Sequence, residues 1–448
     1  MSLENTLAGT PAVPTGVKAD ELHEAGLAAL QNGNFSTAAD LLKRVIELEP
    51  KHKWAWNNLG RAYLAQRRLD EAIQAFRKQI EVNPYDEYAY NNLGQALWQQ
   101  QKHEEAIEAF RKQIEIKPLD RWAHANLGTL YRERHNYVEA IRELEQAISI
   151  TPDDPLLHVG IGDAYLNLGK GDKALQEFDK AVELAPSPTV WNNVAYQLSL
   201  KNVHLERAQQ YAESAVAETA AQLRNAALER LGPQDLGHVT SLAAYWDTLG
   251  WVHFQKGNLK AAEKYIHASW LLNQHGEVGD HLAQIYEKLG RKQEAIQTYA
   301  QALAATRPLP ETRERLARLA GGEDELKMLR TRGGEELSAL RTVKLDKLLK
   351  ESASAEFFVL LSPGLAAAPA AGAAAASGTG AKIEEVRFAS GSEKLRPLAE
   401  ALRAGHFPAI FPDDTPTKLV RRGILSCSAL TGECVFVLLP PDLVTSVN

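Results

Sequence analysis

No stretch of this 448-residue chain is apolar for the roughly 20 residues a membrane-spanning helix needs, so direct membrane insertion is not expected. The opening MSLENTLAGTPAVPTGVKADEL has neither the charged start nor the apolar core of a signal peptide, and residues 1–18 read as a disordered tail. The same opening also suits a fusion scar on an internal fragment, which leaves the compartment open. Positive charge is in deficit, with 50 Lys and Arg against 57 Asp and Glu and a formal charge of −7. Nucleic acid is therefore not an expected partner, because its phosphates demand clustered cations. The chain also lacks a phosphate-binding glycine loop, a nucleophile elbow, a zinc-protease helix and any Cys/His cluster. These absences predict no catalytic residues, no metal and no cofactor.

What the chain has is a period. Pro50, Pro84, Pro118, Pro152 and Pro186 fall at 34-residue steps, and so do Gly26, Gly60, Gly94, Gly128 and Gly162, and Ala38, Ala72, Ala106, Ala140 and Ala174. Residues 53–86 illustrate the unit: Trp56, Leu59, Gly60 and Tyr63 on a first helix A, then Ala72, Phe76 and Ile80 on a second helix B. The spacing makes one apolar stripe per helix. Gly60 and Ala72 are small because the two helices cross closely there, a use that outweighs the ~1 kcal/mol a glycine costs in a helix.

This unit resembles the tetratricopeptide repeat. The resemblance implies a mainly α fold, a right-handed superhelix of stacked helix pairs, followed here by a small α+β module. Regular repeats are expected at 19–52, 53–86, 87–120, 121–154 and 155–188, an irregular sixth around Trp191, Ala208 and Ala212 with an insertion at 217–242, and two more around Trp246 and Leu282. A charged helix at 311–320 would cap the array, giving a solenoid over 19–330.

The resemblance is nearest to the peptide-binding arrays of O-linked N-acetylglucosamine transferase and chaperone adaptors, whose helix A asparagines grip the backbone of an extended peptide. The matching positions here are Asn58, Asn92, Asn126 and, in the slipped sixth repeat, Asn193; the fifth repeat departs with Gly160. An amide offers one acceptor and two donors and can pair with both polar groups of one peptide unit. Trp54, Tyr88 and Trp122, one helical turn earlier, are expected to face the same groove and add contact area. The alternative is that the asparagines bond a neighbouring helix and the aromatics pack between repeats. His124 and His158 stand where other repeats hold Trp56 and Tyr90, and they read as packing substitutes.

After Gly333-Gly334 the helical period fades, and residues 335–448 read as the separate α+β module. Strand-like runs at 341–345, 355–361 and 382–389 precede one amphipathic helix marked by Leu395, Leu398, Ala399 and Leu402, and strands follow at 418–428 and 434–439. Residues 362–381 read as a flexible loop, too poor in bulky apolar side chains to pack. The strand ending in Ser-Gly, the Ala/Leu helix and the following Phe-Pro resemble the C-terminal domain of TonB-type envelope proteins. Cys427 and Cys434 flank the final hairpin turn. A disulfide between them points to the periplasm or cell envelope; two reduced cysteines in a cytoplasmic protein are the alternative, and six intervening residues are too many for a redox Cys-x-x-Cys motif.

The function expected is that of a non-catalytic scaffold binding a protein or extended peptide in the repeat groove. The alternatives are a structural envelope component docking a partner through its C-terminal module, near Arg421-Arg422, or the non-catalytic tail of a longer bacterial enzyme.

Overall fold

A computed structural model of the chain describes residues 18–349, 351–364, 379–405, 409–412 and 417–439. The expected tail 1–18, but for Lys18, and most of the expected loop 362–381 lie outside them, as does Phe407-Pro408 of the TonB-like motif. The chain divides into two compact units between Leu184 and Ala185.

The first unit is five helix pairs: α1 (Ala19–Gln31) with α2 (Phe35–Leu48), α3 (Ala55–Ala65) with α4 (Leu69–Val82), α5 (Ala89–Gln99) with α6 (His103–Ile116), α7 (Arg121–Glu133) with α8 (Tyr137–Ile150), and α9 (Pro155–Asn167) with α10 (Gly171–Leu184). The two helices of a pair touch where the repeated glycine sits. A Cβ added to Gly60, Gly94 or Gly162 would come within 2.5–2.6 Å of the ring of Phe76, Phe110 or Phe178, and these three rings are wholly buried. Each turn from helix A to helix B passes through one left-handed residue, Gly33, Arg67, Gln101, His135 and Gly169, again at 34-residue steps. Three of the five are not glycine and accept the ~1–2 kcal/mol of a left-handed Cβ, which shows how strictly stacking dictates the turn.

The second unit continues with α11 (Pro188–Leu200) and α12 (Leu205–Leu223), α13 (Pro233–Gln255) and α14 (Leu259–Leu272), α15 (Gly276–Lys288) and α16 (Lys292–Ala304), then α17 (Pro310–Ala320) and α18 (Glu323–Ala339). The insertion 217–242 becomes the last turns of α12, a 3-10 turn at Leu228–Arg230 and the first turns of α13. The helical period does not fade at Gly333-Gly334: α18 runs through both. A Cβ on Gly333 would lie 2.5 Å from the carbonyl of Ala300, so this glycine is a close crossing of α18 over α16 and not a breaker.

The rest is a six-stranded antiparallel sheet of β1 (Thr342–Leu348), β2 (Ala353–Pro363), β3 (Thr379–Gly391), β4 (Ile410–Phe411), β5 (Leu419–Cys427) and β6 (Glu433–Leu438), in the spatial order β1-β6-β5-β2-β3-β4. The ends of the expected loop belong to the ladder, with Ser362 opposite Lys382 and Pro363 opposite Ala381. The single helix expected around Leu395–Leu402 is a 3-10 segment, Glu393–Leu398, leading into the short α19 (Ala399–Arg403). Pro397 has no N–H to donate and its ring crowds the preceding turn. Phe357–Ser362 of β2 is buried without alternation, because the sheet is covered on both faces.

One covering layer comes from the repeats. The Leu228 N–H donates to Glu385 Oε2 at 3.1 Å and Arg387 Nη1 donates to the Leu228 carbonyl at 2.5 Å, while Thr417 Oγ1 donates to the Ala220 carbonyl. Repeats six to eight and the sheet thus form one compact unit, where the sequence places a division near residue 330. The insertion at 217–242 supplies the docking surface.

Candidate binding face of the repeats

The A helices of the first unit start on a network of buried polar side chains. Gln79 is wholly buried on α4; its amide nitrogen donates to the Lys53 carbonyl and to Asp86 Oδ2, and its oxygen accepts from the Asn57 N–H at 3.0 Å. Asp86 Oδ1 accepts from the N–H groups of Tyr88 and Ala89 at 3.0 and 2.9 Å. One repeat later Gln113 bonds the Glu87 carbonyl, Asp120 and the Asn91 N–H, and Asp120 accepts from Trp122 and Ala123. Asp154 accepts from Leu156. These caps satisfy N–H groups that a helix start otherwise leaves unpaired, and they hold the backbone at residues 88, 122 and 156. The sequence reading passed over Asp86, Asp120 and Asp154, although their 34-residue step was visible.

At one register position of the A helices stands a row of large exposed side chains, Trp54 (46% exposed), Tyr88 (53%), Trp122 (55%) and Leu156 (74%), the last three on the aspartate caps and Trp54 beside His52 instead. A cation lies over each aromatic ring, Lys53 at 4.6 Å from Trp54, Lys117 at 5.1 Å from Tyr88 and Arg121 at 3.7 Å from Trp122. These cations hold the rings in defined orientations while about half of each side chain stays exposed, and Trp54 also stacks near His23.

One turn further along each helix are the asparagines, and the structure gives them neighbours. Asn58 is buried; its amide donates to His23 Nε2 at 2.9 Å and its oxygen accepts from Arg61. Asn92 Nδ2 donates to Asn57 Oδ1 at 2.9 Å, and Asn126 Nδ2 donates to Asn91 Oδ1 at 3.0 Å. Successive A helices are thus tied by amides 35 residues apart. Asn193 is exposed on α11 of the second unit. The three first-unit asparagines and the aromatic row therefore share one helix face, i and i+4.

His124 and His158 are more than substitutes for packing. His124 Nδ1 lies 2.8 Å from Glu143 and Nε2 3.0 Å from the Pro118 carbonyl. Both partners accept, so the ring that satisfies both is the imidazolium. Burial opposes that charge, but Glu143 and the carbonyl outweigh it and raise the His124 pKa. Burial pushes Glu143 the other way, and His124 with Arg142 brings it below the ordinary carboxylate value. His158 makes the equivalent contact with Glu177 at 2.7 Å. At the two matching positions repeats two and three carry Trp56 with Ala75 and Tyr90 with Ala109, and repeats four and five carry a His–Glu pair.

In the sheet, Cys427 and Cys434 are directly opposite each other across β5 and β6, Cα atoms 4.1 Å apart and sulfurs within bonding distance. Arg421 is buried and Arg422 is partly exposed, bonded to Glu356, so the two do not form a common surface.

Tetratricopeptide repeat family models match residues 23–87, 85–153, 131–195 and 280–314. No curated protein matches the chain. Among solved structures it is similar to a crystal structure of MamA protein, with 26% identity and a TM-score of 0.35 over 38% of this chain and 92% of that one. A second crystal structure of MamA is 27% identical, with a TM-score of 0.35 over 36% of this chain and 94% of that one. MamA 41-end from Desulfovibrio magneticus RS-1 is 20% identical, with a TM-score of 0.36 over 38% of this chain and 97% of that one. The helix pairs within the matched residues are tetratricopeptide repeats.

Proposed function

We propose that the chain is a non-catalytic scaffold that binds a protein or an extended peptide along the A-helix face of its repeats. The observation that carries this reading is the row Trp54, Tyr88, Trp122 and Leu156, large side chains left exposed at a fixed step on the starts of the A helices. Isolated exposed apolar residues are ordinary, whereas a repeated row of them marks a contact surface. Packed helices lie about 8–10 Å apart and an extended chain rises about 3.3 Å per residue, so each repeat would meet roughly every third residue of a bound peptide. Asn92 and Asn126 each use one N–H on the neighbouring repeat, which leaves a second N–H and an oxygen on each amide for the ligand backbone. Specificity would then rest on the aromatic row and affinity on both.

The test is capture. The full chain, immobilised and exposed to an extract of its source cell, should retain a partner identifiable by mass spectrometry, and the variant W54A/Y88A/W122A should lose it with its helical circular dichroism unchanged. Retention by the triple variant rules this face out.

A second reading, an envelope component that docks a partner through the TonB-like C-terminal module, is favoured by one observation. The last hairpin brings the chain's two cysteines face to face, the arrangement of a staple in an oxidising compartment. In that case residues 342–438 and not the A helices would bear the partner.

A further inference from the structure

Arg421 is 3% exposed within β5. Its Nη2 donates to the Leu439 carbonyl at 3.1 Å, while its buried Nε has no partner. Arg341, immediately before β1, is half-buried and its Nε is likewise buried without a partner. Among the described residues, no carboxylate forms an ion pair with either guanidinium. Arg422, the next residue on β5, is paired with Glu356.

The sheet register brings these two arginines together. The Leu438 N–H donates to the Arg341 carbonyl, and Leu438 is opposite Gly423 on β5. Arg341 and Gly423 therefore stand level on either side of the end of β6, and Arg421, two residues from Gly423, shares their face. On that face the Leu438 side chain stands between Arg341 and Gly423, and the Phe436 ring packs over Gly423, so the two arginines meet at the end of this apolar row. Burial, reinforced by the nearby Arg341 charge, pushes the Arg421 pKa down to about 10, which leaves the group charged at neutral pH. A buried cation without a counter-charge is destabilising, and a second cation beside it adds repulsion. One anion between them would relieve both.

We infer that Arg341 and Arg421 form a binding site for a small oxyanion, a phosphate or a carboxylate, reached from the half-buried Arg341 side. Planar guanidinium donors suit both ligands because each can take two parallel hydrogen bonds from the fork. The site uses residues of the sheet and none of the A-helix row, so it is independent of the peptide-binding reading.

The full chain should be titrated at constant ionic strength with inorganic phosphate and, separately, with acetate, against chloride as the control for screening. Isothermal titration and calorimetric melting are the readouts. Saturable binding of either ion, accompanied by a rise in melting temperature, is expected, and the ion that binds more tightly identifies the source. R341Q should weaken that binding at least about tenfold, the loss of one charge-assisted hydrogen bond, and R341K by less. R421M should abolish it; if that variant does not fold, R341Q carries the test. No saturable response to either ion, or a response unchanged in R341Q, overturns the assignment.

Discussion

Replacing Gly94 by alanine sets two effects of known sign against each other. Alanine is favoured over glycine within a helix by about 0.8–1.0 kcal/mol. Against this, the new Cβ would stand 2.6, 2.8 and 2.9 Å from three ring atoms of Phe110, a wholly buried side chain whose ring already meets Trp98 edge to face at 6.4 Å. Overpacking of this kind costs about 1–3 kcal/mol, so the net expectation is a loss of about 1 kcal/mol. Gly26 supplies the control: its added Cβ meets Leu42 at 3.0 and 3.2 Å, and a leucine can shift its branch where a phenyl ring cannot. Gly26→Ala should therefore be near neutral or stabilising, and Phe110→Leu should recover part of the loss in the Gly94→Ala background. Hydrogen exchange read by mass spectrometry should show faster exchange first in residues 87–120, since each repeat depends on its neighbours alone. Stabilisation by Gly94→Ala, or a uniform rise over all repeats, would refute the close-crossing account of these glycines.

Changing Asn58, Asn92 and Asn126 together to Ala should weaken a captured partner at least about tenfold in calorimetry, at ~0.5–1.5 kcal/mol for each lost hydrogen bond, and should also lower stability because the same amides tie neighbouring helices. The His124–Glu143 pair predicts a pH dependence. His124 is raised from 6.5, so its contribution is complete below that value and lost as pH rises through the raised one; Glu143 is lowered from 4.5, so its contribution is complete above that value and lost as pH falls through the lowered one. Melting temperature compared between wild type and Glu143→Gln should show the wild-type advantage greatest between the two and shrinking in alkali. A constant difference would mean the pair is not an ion pair. Closing the Cys427–Cys434 loop should stabilise the last hairpin by about 2–3 kcal/mol; protein taken from its native source under alkylating conditions should show no free thiol after denaturation, and two thiols would place it in a reducing compartment.

The repeat architecture was legible because its constraint is local and recurrent. Gly60, Gly94 and Gly162 must be small wherever a buried phenylalanine crosses them, so the 34-residue step is written directly in residue types. The exposure of Trp54, Tyr88 and Trp122 was legible from their place in helix A, which the repeat fixes at a 34-residue step. The asparagine bonds to the neighbouring helix were legible only as an alternative, and their partners were not, because Asn92 meets Asn57 across 35 residues and either partner alone looks like a surface amide. The His–Glu pairs join two helices 19 residues apart, and the clue was the paired exchange of an aromatic for histidine and of alanine for glutamate. Docking of the insertion on the sheet depends on contacts such as Leu228 with Arg387, 159 residues apart, for which no periodicity exists. Arg421 looked like one half of a surface Arg-Arg pair because strand alternation says which residues share a face and not which face is covered.

The most direct test of the binding-face account is a hydrogen-exchange footprint of the full chain with and without its captured partner. The account predicts slowed exchange at the starts of α3, α5 and α7, around residues 54–58, 88–92 and 122–126, with the sheet unaffected. Protection confined to residues 342–438 would contradict it and assign the partner to the C-terminal module.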